Sequence, residues 1–320
     1  MAIVLRLMRR RSRTGGISRA EIVTGERLQG LAEISIVPGH VRRFHRHVQR
    51  YARDIVTFES YDELGPSDFQ RLSSKRSLFV YTHELEGFIE HIWPRLEANR
   101  YVLITHNSDY EVGGEYLPWI EAAGAKLTRW FAQNATVAHP KLVPLPIGVA
   151  NRMWEHGDLR VLERAIARQR ARPKTKNLYM HFNTKTHPER EEVRRVLTGA
   201  LPDLAQSSPG PQGFAAYLDE LSRHRFCVCP RGNGIDTHRV WECLYLEVIP
   251  IVERSEHAEG WRSRGLPLLV VDRWEELTPA LLDAAEPALT AQPAVREPLL
   301  LSHYAALMSA ALQDATPSRT

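Results

Sequence analysis

The chain has 320 residues, 43% of them hydrophobic and 25% charged, and its 42 Lys and Arg against 38 Asp and Glu leave a formal net charge of +4. That length allows two ordinary domains, the composition excludes wholesale disorder, and the small, mostly Arg, basic excess excludes a dedicated nucleic-acid binder while suiting small anions or an anionic membrane surface. Three cysteines, Cys227, Cys229 and Cys243, are too few and too odd in number for a disulfide framework, so a reducing cytoplasm is the expected setting.

No apolar run approaches the roughly 20 residues that span a bilayer. Residues 1–8 are too short for a signal-peptide core, and the basic stretch 9–13 after them reads as a solvated tail that could make peripheral contact with an anionic inner-membrane surface. Short apolar runs then recur at 34–37, 55–58, 78–82, 101–105, 127–131 and 142–145, with helix-like stretches such as 87–98 and 116–123 between them. Strands alternating with helices imply an α/β layer fold with a mainly parallel sheet. His40, His45 and His47 fall in a basic helical stretch and read as surface residues.

A break follows. Residues 151–158 are polar and irregular, and 159–172 form a strongly basic helical stretch that Pro173 ends. The pattern restarts with strands at 177–182, 225–229, 248–252 and 266–271, then an Ala- and Pro-rich stretch at 280–294 and an amphipathic closing helix at 299–312. The expected division is a Rossmann-like domain over 1–160, a second over 174–298, and a closing helix and tail over 299–320. Open sheets of this kind bind ligands beyond the carboxyl ends of their strands, in the cleft expected between the halves.

The most informative segment is 226–252. A buried strand at 226–229 leads into a loop with Gly232, Asn233 and Gly234, then a helix capped by Asp236 or Thr237 and running to about 246, then the strand 248–252. A glycine-containing loop at a helix start offers free N–H groups to an anion. His238 and Arg239 lie in that first turn, where the helix dipole disfavours cations. A phosphate between them removes the conflict. Glu242, three residues on and on the same helical face, can accept from two neighbouring hydroxyls, as a ribose offers. An Arg239–Glu242 pair that steadies the helix is the structural alternative.

This segment resembles the donor-binding signature of exostosin-like glycosyltransferases: a strand ending in Pro, a Gly-rich turn, Asp-x-x-Arg-x-x-Glu, then Ile-Pro-Ile/Val. The resemblance extends more loosely over 78–277, through Thr-His-Asn-Ser-Asp at 105–109, Trp-Phe-Ala-Gln-Asn at 130–134, Pro-Leu-Pro-Ile-Gly at 144–148 and the run 266–272 before Trp274. It implies a GT-B architecture, with two Rossmann-like domains facing each other across a cleft, the nucleotide-sugar donor on the second, an acceptor site on the first, and inverting transfer. One position departs from the pattern: Glu247 stands where such enzymes carry Gly, and Glu does not easily take positive φ, so an altered turn is expected.

Further candidates follow from position. Lys185 and Arg190 crowd the helix start after strand 177–182, where Thr186 or His187 could cap and Pro188 fits the first helical position; both cations are assigned to the diphosphate or the sugar. Asp109 and His106, at the end of strand 101–105, are the candidate catalytic bases, with His83 and Glu84 after the preceding strand as alternatives. Asn134 and Asn151 could bond sugar hydroxyls, although turn roles suit them better. No Asp-x-Asp pair occurs, so metal-independent transfer is expected, with no cofactor beyond a UDP- or GDP-linked sugar and with a glycan or other hydroxyl as acceptor, as in bacterial surface-polysaccharide synthesis. Cys227-x-Cys229 with His224 or His238 could form a zinc site, but core cysteines are the ordinary reading. The rival functions are another nucleotide-sugar-processing enzyme and a non-catalytic nucleotide- or glycan-binding module.

Overall fold

A computed structural model of the chain describes residues 17–44, 48–97, 99–169, 172–201, 213–291 and 297–314. The basic stretch 9–13, His45, His47, Ala98 and residues 292–294 lie outside the described residues. The described part is α/β and divides into two units with one parallel sheet each. Among the described residues, no helix is long and apolar enough to cross a membrane.

The first unit contains the described residues of 23–147 and 301–314. Its strands are β1 (Ile34–Pro38), β2 (Ile55–Phe58), β3 (Ser77–Tyr81), β4 (Tyr101–His106), β5 (Leu127–Gln133) and β6 (Leu142–Leu145), in the order β2-β1-β3-β4-β5-β6, all parallel. Successive residues leave opposite faces of a strand. Leu78, Val80, Tyr101 and Leu103 accordingly join one core, and Phe79, Tyr81, Val102 and Ile104 another. Both faces are covered, which is why these strands read as continuous apolar runs and not as alternations. Helices α1 (Gly25–Gln29), α2 (Pro66–Ser73) and α3 (Leu117–Ala122) belong to this unit.

The second unit holds the described residues of 17–22 and 148–300. Its strands β7 (Lys176–Tyr179), β8 (His224–Val228), β9 (Ile249–Glu253) and β10 (Leu269–Val271) are parallel, in the order β10-β9-β8-β7. Helices α4 (Leu159–Gln169), α5 (Glu189–Ala200), α6 (Phe214–Leu221), α7 (His238–Tyr245), α8 (Glu256–Ser263) and α9 (Pro279–Ala291) accompany them. Val193 and Leu197 of α5, four residues apart, pack with Phe226, Val228, Ile249 and Ile251 on one face of the sheet.

Three expectations need correction. The division falls between Ile147 and Gly148, not between the expected bounds 160 and 174, and residues 17–22 group with the second unit while 301–314 group with the first. The closing helix α10 (Leu301–Asp314) buries Leu301, Tyr304, Met308 and Ala311, spaced by three and four, in the core of the first unit. The helix expected at 87–98 is instead a short α turn at Leu85–Gly87, a π-helical turn at Phe88–Ile92 and a 3₁₀ turn at Trp93–Arg95. Pro94 has no N–H and its ring crowds the carbonyl four residues back, so α-helical bonding cannot continue there. The last strand shortens to Leu269–Val271 because Gly265 turns with φ +84° and Pro267 has no N–H for the ladder.

Glu247 takes positive φ after all, at +55°. The N–H of Val248 bonds the Cys243 carbonyl at 2.9 Å and that of Glu247 bonds Leu244 at 3.3 Å, so α7 ends in a Schellman turn with Glu at the position that glycine favours. Glu247→Gly is therefore expected to stabilise the protein by about 0.5–1 kcal/mol, since the left-handed strain of an L-residue exceeds glycine's entropy cost. Thermal melting should show a rise of about 1–3 °C; a fall would mean that the Glu247 side chain contributes more than its backbone costs.

Candidate functional site

Strand β8 ends at Val228, and the loop from Cys229 leads into α7. Cys227 alternates with Phe226 and Val228, so it faces away from the core that contains them. Gly232 N–H closes the loop onto the Gly234 carbonyl at 3.0 Å. A Cβ at Gly232 would lie 3.3 Å from an Arg190 nitrogen, and this close approach is what the glycine permits. Asn233 is exposed at the loop tip and Gly234 is buried.

Thr237 is the N-cap of α7, but neither expected cap bond forms. The Thr237 side chain makes none, and its Oγ1 is buried without a partner. Asp236 is turned into the fold instead. Both its oxygens accept from Trp241 Nε1 at 2.9 Å, and His257 Nε2 lies 3.7 Å away. Asp236 thus fixes the loop from below and is not aimed at a ligand. The first turn of α7 carries no acidic residue, so its positive end is left to other partners. His238 Nδ1 donates to the Gly148 carbonyl at 2.8 Å.

Arg239 is half-buried. One guanidinium nitrogen donates to the His181 carbonyl, Cζ lies 5.6 Å from the centre of the Tyr217 ring, and Nε has no partner. Burial opposes its charge, but the oxygen of Tyr217, the sulfurs of Cys227 and Cys229 and the Glu242 carboxylate more than offset that, and its pKa lies above the ordinary arginine value. No ion pair joins it to Glu242, so the expected structural alternative takes another form. Glu242 is 4% exposed and Oε2 accepts from Tyr217 Oη at 2.7 Å. Burial first, and the nearby Glu242 second, push the Tyr217 phenol well above its usual range, which keeps it the donor.

Arg190 projects from α5 into the same region. Nε donates to the Arg231 carbonyl at 2.7 Å, one terminal nitrogen to Asn183 at 3.0 Å and the other to Pro230 at 3.2 Å. It ties the loop after β7 to the loop after β8. Burial, then the charge of Arg239, lower its pKa to about 10. Neither Arg190 nor Arg239 has a carboxylate partner among the described residues. Pro188 is the N-cap of α5, one position earlier than expected, and neither Thr186 nor His187 occupies the cap. Lys185 is exposed, its own N–H bonded to Asn183 Oδ1 at 3.0 Å. The arrangement is a cationic concentration at the carboxyl ends of β7 and β8, suited to an anion with several oxygens.

The candidates on the first unit separate clearly. His106 is 1% exposed; Nε2 donates to the Pro146 carbonyl at 2.9 Å and Nδ1 accepts from Asn107 N–H at 2.7 Å, so both ring nitrogens are engaged. Asp109 is exposed on the loop after β4, near enough to His83 for its charge to act there. Burial lowers the pKa of His83. Glu84 accepts from His40 at 2.7 Å and from Tyr61 Oη at 3.3 Å. Asn134 sits at φ +54°, fully buried, and donates to the carbonyls of Ser108 and Tyr110 at 3.3 Å each, a turn role. Asn151 is buried and lies in the second unit, where its carbonyl accepts from Trp154 N–H at 2.9 Å.

Sequence reasoning missed Tyr217, whose spacing after Phe214 reads as a core face, and the polar set around Gln29 and Gln133. Gln133 accepts from Asn107 N–H at 2.9 Å and donates to Ser108, which shapes the loop that carries Asp109. No protein-family model matches the chain, and no curated protein matches it.

The placement of Asp236 has a measurable consequence. Asp236→Ala is expected to destabilise the protein by about 2–3 kcal/mol, because it leaves Trp241 Nε1 unpaired in the interior. Urea unfolding measures the loss. An unchanged midpoint would return Asp236 to the ligand-facing role expected from the sequence.

Proposed function

We propose that the chain is a glycosyltransferase of the GT-B kind that takes its sugar from a UDP- or GDP-linked donor, with the diphosphate on the unit formed by β7–β10. The observation that carries this reading is the pair of half-buried arginines, Arg190 and Arg239, without carboxylate partners among the described residues, beside the uncapped start of α7. A diphosphate would give both guanidinium groups the direct anionic oxygen partners that no carboxylate provides among the described residues. The resemblance of 226–252 to the exostosin-like donor signature supports the same assignment.

Transfer is a single inverting displacement. The acceptor hydroxyl oxygen bonds to the anomeric carbon as the bond from that carbon to the diphosphate oxygen breaks; the hydroxyl proton goes to a base, and the electron pair leaves with the nucleoside diphosphate. Arg239 is positioned to offset the charge that grows on that leaving group. His106 has both ring nitrogens engaged, and the proton is assigned to Asp109, with His83 and Glu84 as the alternatives. Lys185, exposed at the start of α5, supplies further positive charge to the sugar diphosphate.

A thermal-shift panel of nucleoside diphosphates and their sugars tests the reading. A ligand at about 100 times its Kd stabilises the native state by roughly 2.7 kcal/mol. One base should stand out, and the matching nucleotide sugar should be consumed when a glycan acceptor is present. No shift with any of them sinks the reading, and a shift without consumption leaves a nucleotide-binding module. EDTA is expected to leave transfer intact, because the sequence has no Asp-x-Asp pair to bridge a metal to the diphosphate. Loss that manganese or magnesium restores would overturn the unassisted departure.

A further inference from the structure

Cys227 lies on β8 and Cys229 follows directly after it, two residues along an extended chain, so their side chains leave the same face. Helix α7 brings Cys243 to that face. The three sulfurs all lie within 4.8 Å of one another, with Cys229 and Cys243 at 3.9 Å. All three are free thiols, exposed by 0%, 3% and 0% in chain order. A single core cysteine is a small hydrophobe. Three that converge from a strand, a loop and a helix make a ligand set.

We propose that Cys227, Cys229 and Cys243 form a three-thiolate site for one soft, closed-shell metal ion, with Cu(I) as the ion that fits it best. Metal–sulfur bonds of about 2.3 Å arranged in a plane place the sulfurs about 4 Å apart. The thiols already stand close to that triangle and need to close by less than about 1 Å. No histidine or carboxylate completes the set among the described residues. The two histidines that the sequence offered are turned elsewhere: His224 Nδ1 donates to the Glu220 carbonyl and His238 Nδ1 to that of Gly148. Structural zinc takes four ligands, whereas thiolates alone select soft ions such as Cu(I).

Charge balance agrees with this choice. Binding releases thiol protons to solvent and leaves copper in the +1 state. The excess negative charge that results would be costly in the interior without a counter-charge. Arg239 lies close enough for its charge to act on Cys227 and Cys229. The site stands independently of the glycosyl-transfer reading, since its test uses no nucleotide and no activity.

The reduced 320-residue chain is titrated anaerobically with Cu(I) against a coloured bidentate Cu(I) chelator. One equivalent should be withdrawn from the chelator. Cys243→Ser and Cys229→Ser, checked for folding by circular dichroism and melting, should bind at least about 10²-fold more weakly, because losing a ligand costs more than losing a residue that merely supports one. X-ray absorption on the loaded wild-type protein needs no variant and should show three sulfur neighbours at about 2.3 Å. Copper left entirely with the chelator, a folded Cys243→Ser that binds as the wild type does, or a shell dominated by nitrogen or oxygen would each overturn the site.

Discussion

Arg239→Ala is expected to slow sugar transfer by about 10²–10³-fold, the usual loss when one donor to a developing negative charge is removed. The residue sits where α7 begins; Thr237 makes no side-chain cap bond there and the first turn carries no acidic residue. Its guanidinium is held by the His181 carbonyl and the Tyr217 face, and Nε remains unsatisfied. A buried donor without a partner costs about 1–3 kcal/mol, so the site gains by closing on an oxygen-rich anion. In the proposed reaction the diphosphate would gain charge as the glycosidic bond breaks, and the loss should therefore fall on kcat as well as on donor affinity. Arg239→Lys should recover part of the affinity, because it keeps the charge, but little of the rate, because it loses the planar fork. Melting curves on the same proteins provide the control. If Arg239→Ala turns over normally, or loses activity only in proportion to its unfolded fraction, Arg239 is a structural staple between β7 and α7 and the donor assignment fails.

Much of the fold was legible because it is written in period and punctuation. Strands buried on both faces leave unbroken apolar runs, and residues 55–58 and 142–145 were read with the bounds that the structure has. What escaped has particular causes. The ends of the chain change units because a helix packs where its apolar stripe finds a core, and Tyr304 and Met308 carry no mark of which sheet that is. The helix Pro279–Ala291 absorbs Pro287 in its interior, against the local rule that made the stretch read as merely Ala- and Pro-rich. Around 226–252, the sequence marked the strand, loop and helix that the structure forms but not the direction of each side chain. Asp236, His106 and Glu242 are residue types that serve equally as ligands and as buried partners of Trp241, Pro146 and Tyr217. Only the tertiary surroundings decide between those roles, and Tyr217, 25 residues before Glu242, is beyond any local pattern.

Glu242 gives the sharpest test of that ambiguity. A carboxylate at 4% exposure has surrendered most of its hydration, and the bond from Tyr217 Oη at 2.7 Å repays part of that cost. Arg239 contributes favourable charge nearby without an ion pair. Glu242→Ala removes the acceptor, leaves the Tyr217 hydroxyl unsatisfied and opens a cavity, so a loss of about 3 kcal/mol is expected in urea unfolding. Tyr217→Phe should cost about 1–3 kcal/mol, because the carboxylate then lacks its donor. The two losses should not add. If one hydrogen bond links them, the double variant falls short of the sum by about 1.5–3 kcal/mol, the range for a bond to a charged group. Nucleotide affinity measured on folded protein then separates the roles. A Glu242 that only braces Tyr217 leaves the Kd for nucleoside diphosphate nearly unchanged in Glu242→Gln. A Glu242 that also grips the ribose, as its place on the helix suggested from sequence, weakens the ribonucleotide while a 2′,3′-dideoxy analogue binds the variant and the wild type alike. Additive stability losses would remove the Tyr217 bond from the account, and an unchanged Kd would remove the ribose contact, so each half can fail separately.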